Sequence, residues 1–168
     1  MGLFGALASL LAACDDGTKI TRVDRRGGFV RSWLVFAAEG GLPVEMHGRP
    51  FPGVTDREVA ARLRFPPGTL RGFRFRAMAP EETAARRLVL VFNRADAPNA
   101  LRDCARLGPV PTSEPAEVGF TAQATFCTES HMMATGFLEA RKTPADDPKA
   151  FTLAMQRLFR EMTGVNMH

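Results

Sequence analysis

Two runs of strict alternation in the last third of the chain carry its clearest structural signal. Val118, Phe120, Ala122, Ala124 and Phe126 occupy even positions, with Gly119, Thr121, Gln123 and Thr125 between them. Beyond Thr128-Glu129-Ser130 the even positions are small or apolar again: Met132, Ala134, Gly136, Leu138 and Ala140. A period of two marks half-buried strands. A three-residue loop would set Cys127 opposite His131 and Phe126 opposite Met132, so that both strands share one apolar face. A slip of one residue would mix the faces, which fixes the pairing.

The remaining pattern is shorter-ranged. "FVRSWLVFAA", 29–38, is apolar and β-rich, and 42–47 reads as a return strand after Gly40-Gly41. Thr55 and Glu58 stand in capping-box spacing ahead of a short helix that "FPPG" ends. "LRGFRFRAMA", 70–79, alternates Phe with Arg as a half-exposed strand would, and "RLVLVFN", 87–93, is a short buried one. A helix over 98–107 places Ala100, Cys104 and Leu107 on one face, with Gly108 as its stop. The last helix, 147–163, starts at Asp147-Pro148, carries Phe151, Met155, Leu158 and Met162 as a core stripe, and ends at Gly164. The order β-β-α-β-β-α-β-β-α predicts an α+β fold: an antiparallel sheet of about five to six strands, two short helices and a C-terminal helix packed on it.

Composition sharpens this picture. At 168 residues the chain is long enough for one domain with a real core. The net charge of +4 raises the question of nucleic acid, but the arginines are scattered and interleaved with acids, which reads as a solvated basic surface. No nucleic-acid partner is expected.

The N-terminus addresses location. "MGLFGALASLLAACDDG" has no charged side chain before Asp15. A 13-residue helix would rise about 20 Å, too short for a hydrocarbon core of about 30 Å. Leu11-Ala12-Ala13-Cys14 resembles the lipobox of bacterial lipoproteins, in which an aliphatic residue and two small ones precede an invariant cysteine. The resemblance implies a signal peptide at 1–13 and a diacylglyceryl thioether and N-acyl chain (palmitate chemistry) on Cys14. It also implies a lipid anchor in the cell membrane on the periplasmic side; Asp15 after the cysteine favours the inner membrane. The domain plan is then signal peptide 1–13, tether 14–28 and one α+β domain 29–168. The tether is polar, with room for a short strand.

The hairpin poses the chemical question. Its predicted register brings Cys127 and His131 together, with Met133 on the same face. Thiolate, imidazole and thioether together form a copper ligand set. "FCTESHMMATGFL" is similar to the ligand loop of cupredoxins, and that resemblance implies Cys127, His131 and Met133 as copper ligands with His47 as the fourth. The His-Met spacing is shorter than that family's, and a helix follows where its last strand would end. The competing account counts cysteines. Of the three, the lipobox resemblance assigns Cys14 to lipid, which would leave Cys104 and Cys127 as a pair in an oxidising compartment. Their disulfide would close a loop of about two dozen residues, contributing roughly 3 kcal/mol on the chain-entropy model, and would require the 98–107 helix to cover the odd face of the hairpin.

No catalytic constellation stands out. Serines lack a nucleophile-elbow context, and no phosphate-binding glycine loop is present. Glu45 and His47 sit on alternate positions of a strand, and Glu81-Glu82 and Asp146-Asp147 fall in loops or at a helix start. The expectation is a non-enzymatic lipoprotein module, without a cofactor, serving the cell envelope or a membrane complex and meeting an envelope protein partner there. The alternative is a periplasmic copper-binding protein using His131 and Met133 with Cys127 or His47.

Overall fold

The alternation at 118–140 becomes the centre of a six-stranded sheet in the computed structural model, which describes residues 17–26, 40–68 and 73–164. The strands are β1 (Thr18–Arg25), β2 (Leu42–His47), β3 (Phe75–Ala77), β4 (Arg86–Phe92), β5 (Val118–Thr128) and β6 (His131–Pro144). They lie in the order β1-β6-β5-β4-β2-β3. Helices α1 (Asp56–Arg62), α2 (Ala100–Ala105) and α3 (Pro148–Thr163) complete an α+β fold. The predicted strand at 29–38, the residues 1–16 with Cys14 and Asp15, and the end of the chain lie outside the described residues. The stretch taken as tether supplies β1, which is hydrogen-bonded antiparallel along β6.

The sheet is mixed, not purely antiparallel. β2 runs parallel to both β3 and β4, while β4-β5, β5-β6 and β6-β1 are antiparallel. The reason lies in the connections. Helix α1 carries the chain from the end of β2 back to the start of β3, and such a crossover returns a strand in the same direction. Hydrophobic alternation specifies which face a residue takes but not the direction of its neighbour.

The hairpin keeps the predicted faces through a different register. Its turn has two residues, Glu129 and Ser130, so Thr128 opposes His131 and Cys127 opposes Met132. That pairing sets even against odd. A bulge at Met133 restores the match, and from Phe126 opposite Ala134 outward the even positions face one another.

The even side chains in the middle of β4, β5 and β6 therefore form one core. Leu88, Leu90, Phe92, Phe120, Ala122, Phe126 and Leu138 lie buried with Phe151, Met155, Leu158, Phe159 and Met162 of α3. Asp147 caps α3 by accepting the Ala150 N–H at 2.9 Å, Pro148 occupies its first turn, and Gly164 ends it in the left-handed region. Helix α3 packs tightly on β6 at Gly136, where an added Cβ would lie 2.8 Å from both Leu158 and Met162. The capping box of α1 forms as spaced: the Glu58 carboxylate accepts the Thr55 N–H at 2.8 Å, and Thr55 Oγ1 accepts the Glu58 N–H at 3.3 Å.

Candidate functional site

The odd positions build a second, polar face. Alternation along β2 turns Glu45 and His47 there, β4 contributes Arg87, Val89 and Val91, and β5 contributes Gln123, Thr125 and Cys127. Helix α2 covers this face. Asn99 caps it by accepting the Arg102 N–H at 3.0 Å, and Cys104 points inward to a disulfide with Cys127, Cα–Cα 5.5 Å. Both cysteines are buried against Val89 and Val91. The helix thus lies where that disulfide requires. Its predicted apolar stripe is shorter than expected, because the helix ends at Ala105. Arg106 takes a left-handed conformation (φ 54°) and carries Leu107 into solvent, 63% exposed.

Two buried arginines clip α2 to the sheet. Arg87, 3% exposed, donates to Glu45 Oε2 at 2.7 Å, to the Glu129 carbonyl at 2.9 Å and to the Cys104 carbonyl at 2.6 Å. Arg94 grips Asp103 with both terminal nitrogens, at 2.7 and 2.9 Å, and reaches Asp96 and Gln123 as well. Gln123 closes the ring by donating to Asp103 at 3.0 Å. These two arginines are therefore not part of a solvated basic surface. Removing one partner of such a pair would strand a buried charge, so the network fixes one arrangement of α2.

Beside it lies a cleft of about 350 Å³ between α2 and β2. Glu45 and His47 line its floor, Arg102 and Arg106 its α2 side, and Met78 and Val110 are among its apolar walls. Glu45 is held by three cationic or ionisable groups: Arg87, Arg106 at 2.9 Å and His47 at 3.2 Å. Burial alone would raise its pKa. The hydrogen bonds from His47, Arg106 and Arg87 outweigh that and bring it down to about 2. Glu45 therefore stays ionised in this corner of the cleft, its charge balanced by the guanidiniums of Arg87 and Arg106.

The copper ligands implied by the cupredoxin resemblance are not brought together. Cys127 is spent in the disulfide. His131 is exposed beside the turn opposite Thr128, whereas Met133, the bulged residue, packs toward the α3 side of the sheet. Through Val91, Gln123 and Phe137, His47 aligns with a point on β6 about 20 Å along the strand from His131 and about 14 Å across the sheet. His168 lies outside the described residues. Among the described residues no group of three or more His, Cys, Asp and Glu side chains is placed to hold a metal ion.

Sequence reasoning found Cys104 and Cys127 but missed Arg87, Arg94, Asp103 and the cleft. One signal was available: Arg87 opens an otherwise continuous apolar run, and Arg94 follows its end. A charge so close to a buried strand calls for a buried partner. Comparison of the chain with family models, curated proteins and solved structures found no match.

Proposed function

We propose that this chain is a periplasmic lipoprotein, anchored to the membrane through Cys14, whose domain serves as a non-enzymatic module of the envelope or of a membrane complex. The observation that carries the reading is the Cys104–Cys127 disulfide, buried on both sides. Disulfides persist in oxidising compartments and are rare in reducing ones. This one uses two of the three cysteines and leaves Cys14, the residue in lipobox context, as the third. β1 begins at Thr18, so the anchor and the sheet would be separated by at most about 14 Å of chain, holding the domain close to the bilayer.

Mass spectrometry of membrane and soluble fractions tests the anchor. The expected N-terminal peptide begins at acylated Cys14 in the membrane fraction, and Cys14→Ser abolishes it. An unmodified Cys14 on a chain that retains Met1 would overturn the proposal. Thiol titration of the denatured, unreduced protein is expected to find no free thiol. Reactive thiols together with bound copper would favour the metal-binding alternative.

A further inference from the structure

We propose that the cleft between α2 and β2 binds a small organic carboxylate, its carboxyl group held by Arg102 and Arg106 and its apolar body against Met78 and Val110. This goes beyond the lipoprotein reading and does not depend on the anchor at Cys14.

The cationic groups of the cleft differ in what already occupies them. Arg87 and Arg94 are saturated by carboxylates and carbonyls. Arg106 donates through Nε to Glu45 and through Nη2 to the Glu82 carbonyl at 3.2 Å, leaving Nη1 without an acceptor among the described residues. Arg102 uses only Nε, on the Leu107 carbonyl at 2.7 Å; its two terminal nitrogens have no acceptor among the described residues. Arg102 lies on α2 and Arg106 is its left-handed C-cap, and both line the cavity. The paired donors of a guanidinium match a carboxylate in bidentate geometry.

The surroundings are fixed in advance. The disulfide and both buried arginine clips hold α2, while the left-handed backbone of Arg106 directs its side chain over Glu45. A non-glycine residue in that conformation is strained, and the surrounding structure must offset the strain. Such pre-ordering lowers the entropic cost of capturing a ligand. An inorganic anion would leave the apolar walls unused; an alkyl carboxylate covers them.

The test is calorimetric titration of the purified full chain, from whichever fraction holds it, with hexanoate, acetate and inorganic phosphate. NMR of the His47 imidazole serves as a local reporter. Hexanoate is expected to bind saturably, shift the His47 resonances, and bind about tenfold or more tightly than acetate or phosphate. Arg102→Gln is expected to weaken hexanoate by about tenfold while leaving the unliganded melting temperature nearly unchanged, since the side chain makes only one exposed bond. Val110→Ser is expected to erase the preference for hexanoate over acetate and to leave acetate binding in place. Absence of saturable binding would overturn the proposal. So would equal affinity for phosphate and hexanoate, or an Arg102→Gln protein that binds as the parent does.

Discussion

The two faces of the sheet are held by different physics. On one, phenylalanines from β4, β5 and α3 meet at centroid distances of 5 to 6 Å with no charged group among them. On the other, a disulfide, two buried arginines and a chain of hydrogen bonds hold a helix of six residues. An α-helix that short has almost no stability of its own. It stays because covalent and ionic clips place it. The dry face supplies stability through volume, and the polar face supplies position.

The largest effect is expected on the dry face. Phe159 is fully buried, with ring centroids 5.3 Å from Phe65 and 5.4 Å from Phe75. Phe159→Ala should cost roughly 3–5 kcal/mol in urea denaturation. A loss below about 1 kcal/mol would mean that this face is loosely packed and that the contrast is wrong.

On the polar face, replacing Cys104 and Cys127 together with alanine should cost about 3 kcal/mol, chiefly by freeing the unfolded chain. The structural consequence is local. Amide exchange should rise in α2 and the segment after it while α3 keeps its protection. Equal loss of protection in α3 would show that the two faces do not separate.

This contrast also marks what could be read from the residues. The dry face was legible because hydrophobic spacing is a local property: the even apolar positions from Phe120 to Ala140 and the α3 stripe at Phe151, Met155, Leu158 and Met162 are buried as spaced, apart from Met132 at the bulged end of the hairpin, while Val118 at the start of β5 is exposed. The cysteine pair was legible by counting. The direction of β2 was not, since parallel pairing with β4 depends on a crossover that spacing does not encode. The bulge at Met133 was invisible for a similar reason, because the turn took two residues where three also preserve the faces. The polar face was hardest. Arg94 and Asp103 are nine positions apart, and Arg87 and Glu45 are separated by 42. Nothing in either local pattern says that the partners meet.

Acid should discriminate between the faces next. Glu45 titrates near 4.5 in an unfolded chain and near 2 when folded, so between those values the unfolded state holds the additional proton. The stability that Glu45 contributes is complete above about pH 4.5 and is lost as pH falls toward 2. Comparing urea midpoints at pH 6 and pH 3 should show this loss in the parent. A Glu45→Gln protein should show a flatter profile over the same interval. If the two profiles are parallel, the contacts of Arg87, Arg106 and His47 with Glu45 do not matter energetically.

The smallest effect separates polarity from position within the polar face itself. Thr125 and Thr135 are buried, and their hydroxyls meet at 2.9 Å across β5 and β6. They bear no charge and make no direct bond to α2, touching its network only through the long Gln123–Thr125 bond. Valine has nearly the same shape, and replacing both hydroxyl groups removes their mutual bond together; beyond it go only a long bond from Gln123 Nε2 to Thr125 Oγ1 at 3.4 Å and the bond from Thr135 Oγ1 to the Ala124 carbonyl at 3.1 Å. Gln123 keeps its bonds to Asp103 and Arg94, so the network around α2 is not opened. The double variant Thr125→Val with Thr135→Val should therefore melt within the equivalent of about 1 kcal/mol of the parent, with α2 protection intact. A large loss would mean that the hydroxyl pair belongs to the clip holding α2, and that the polar face acts as one cooperative network.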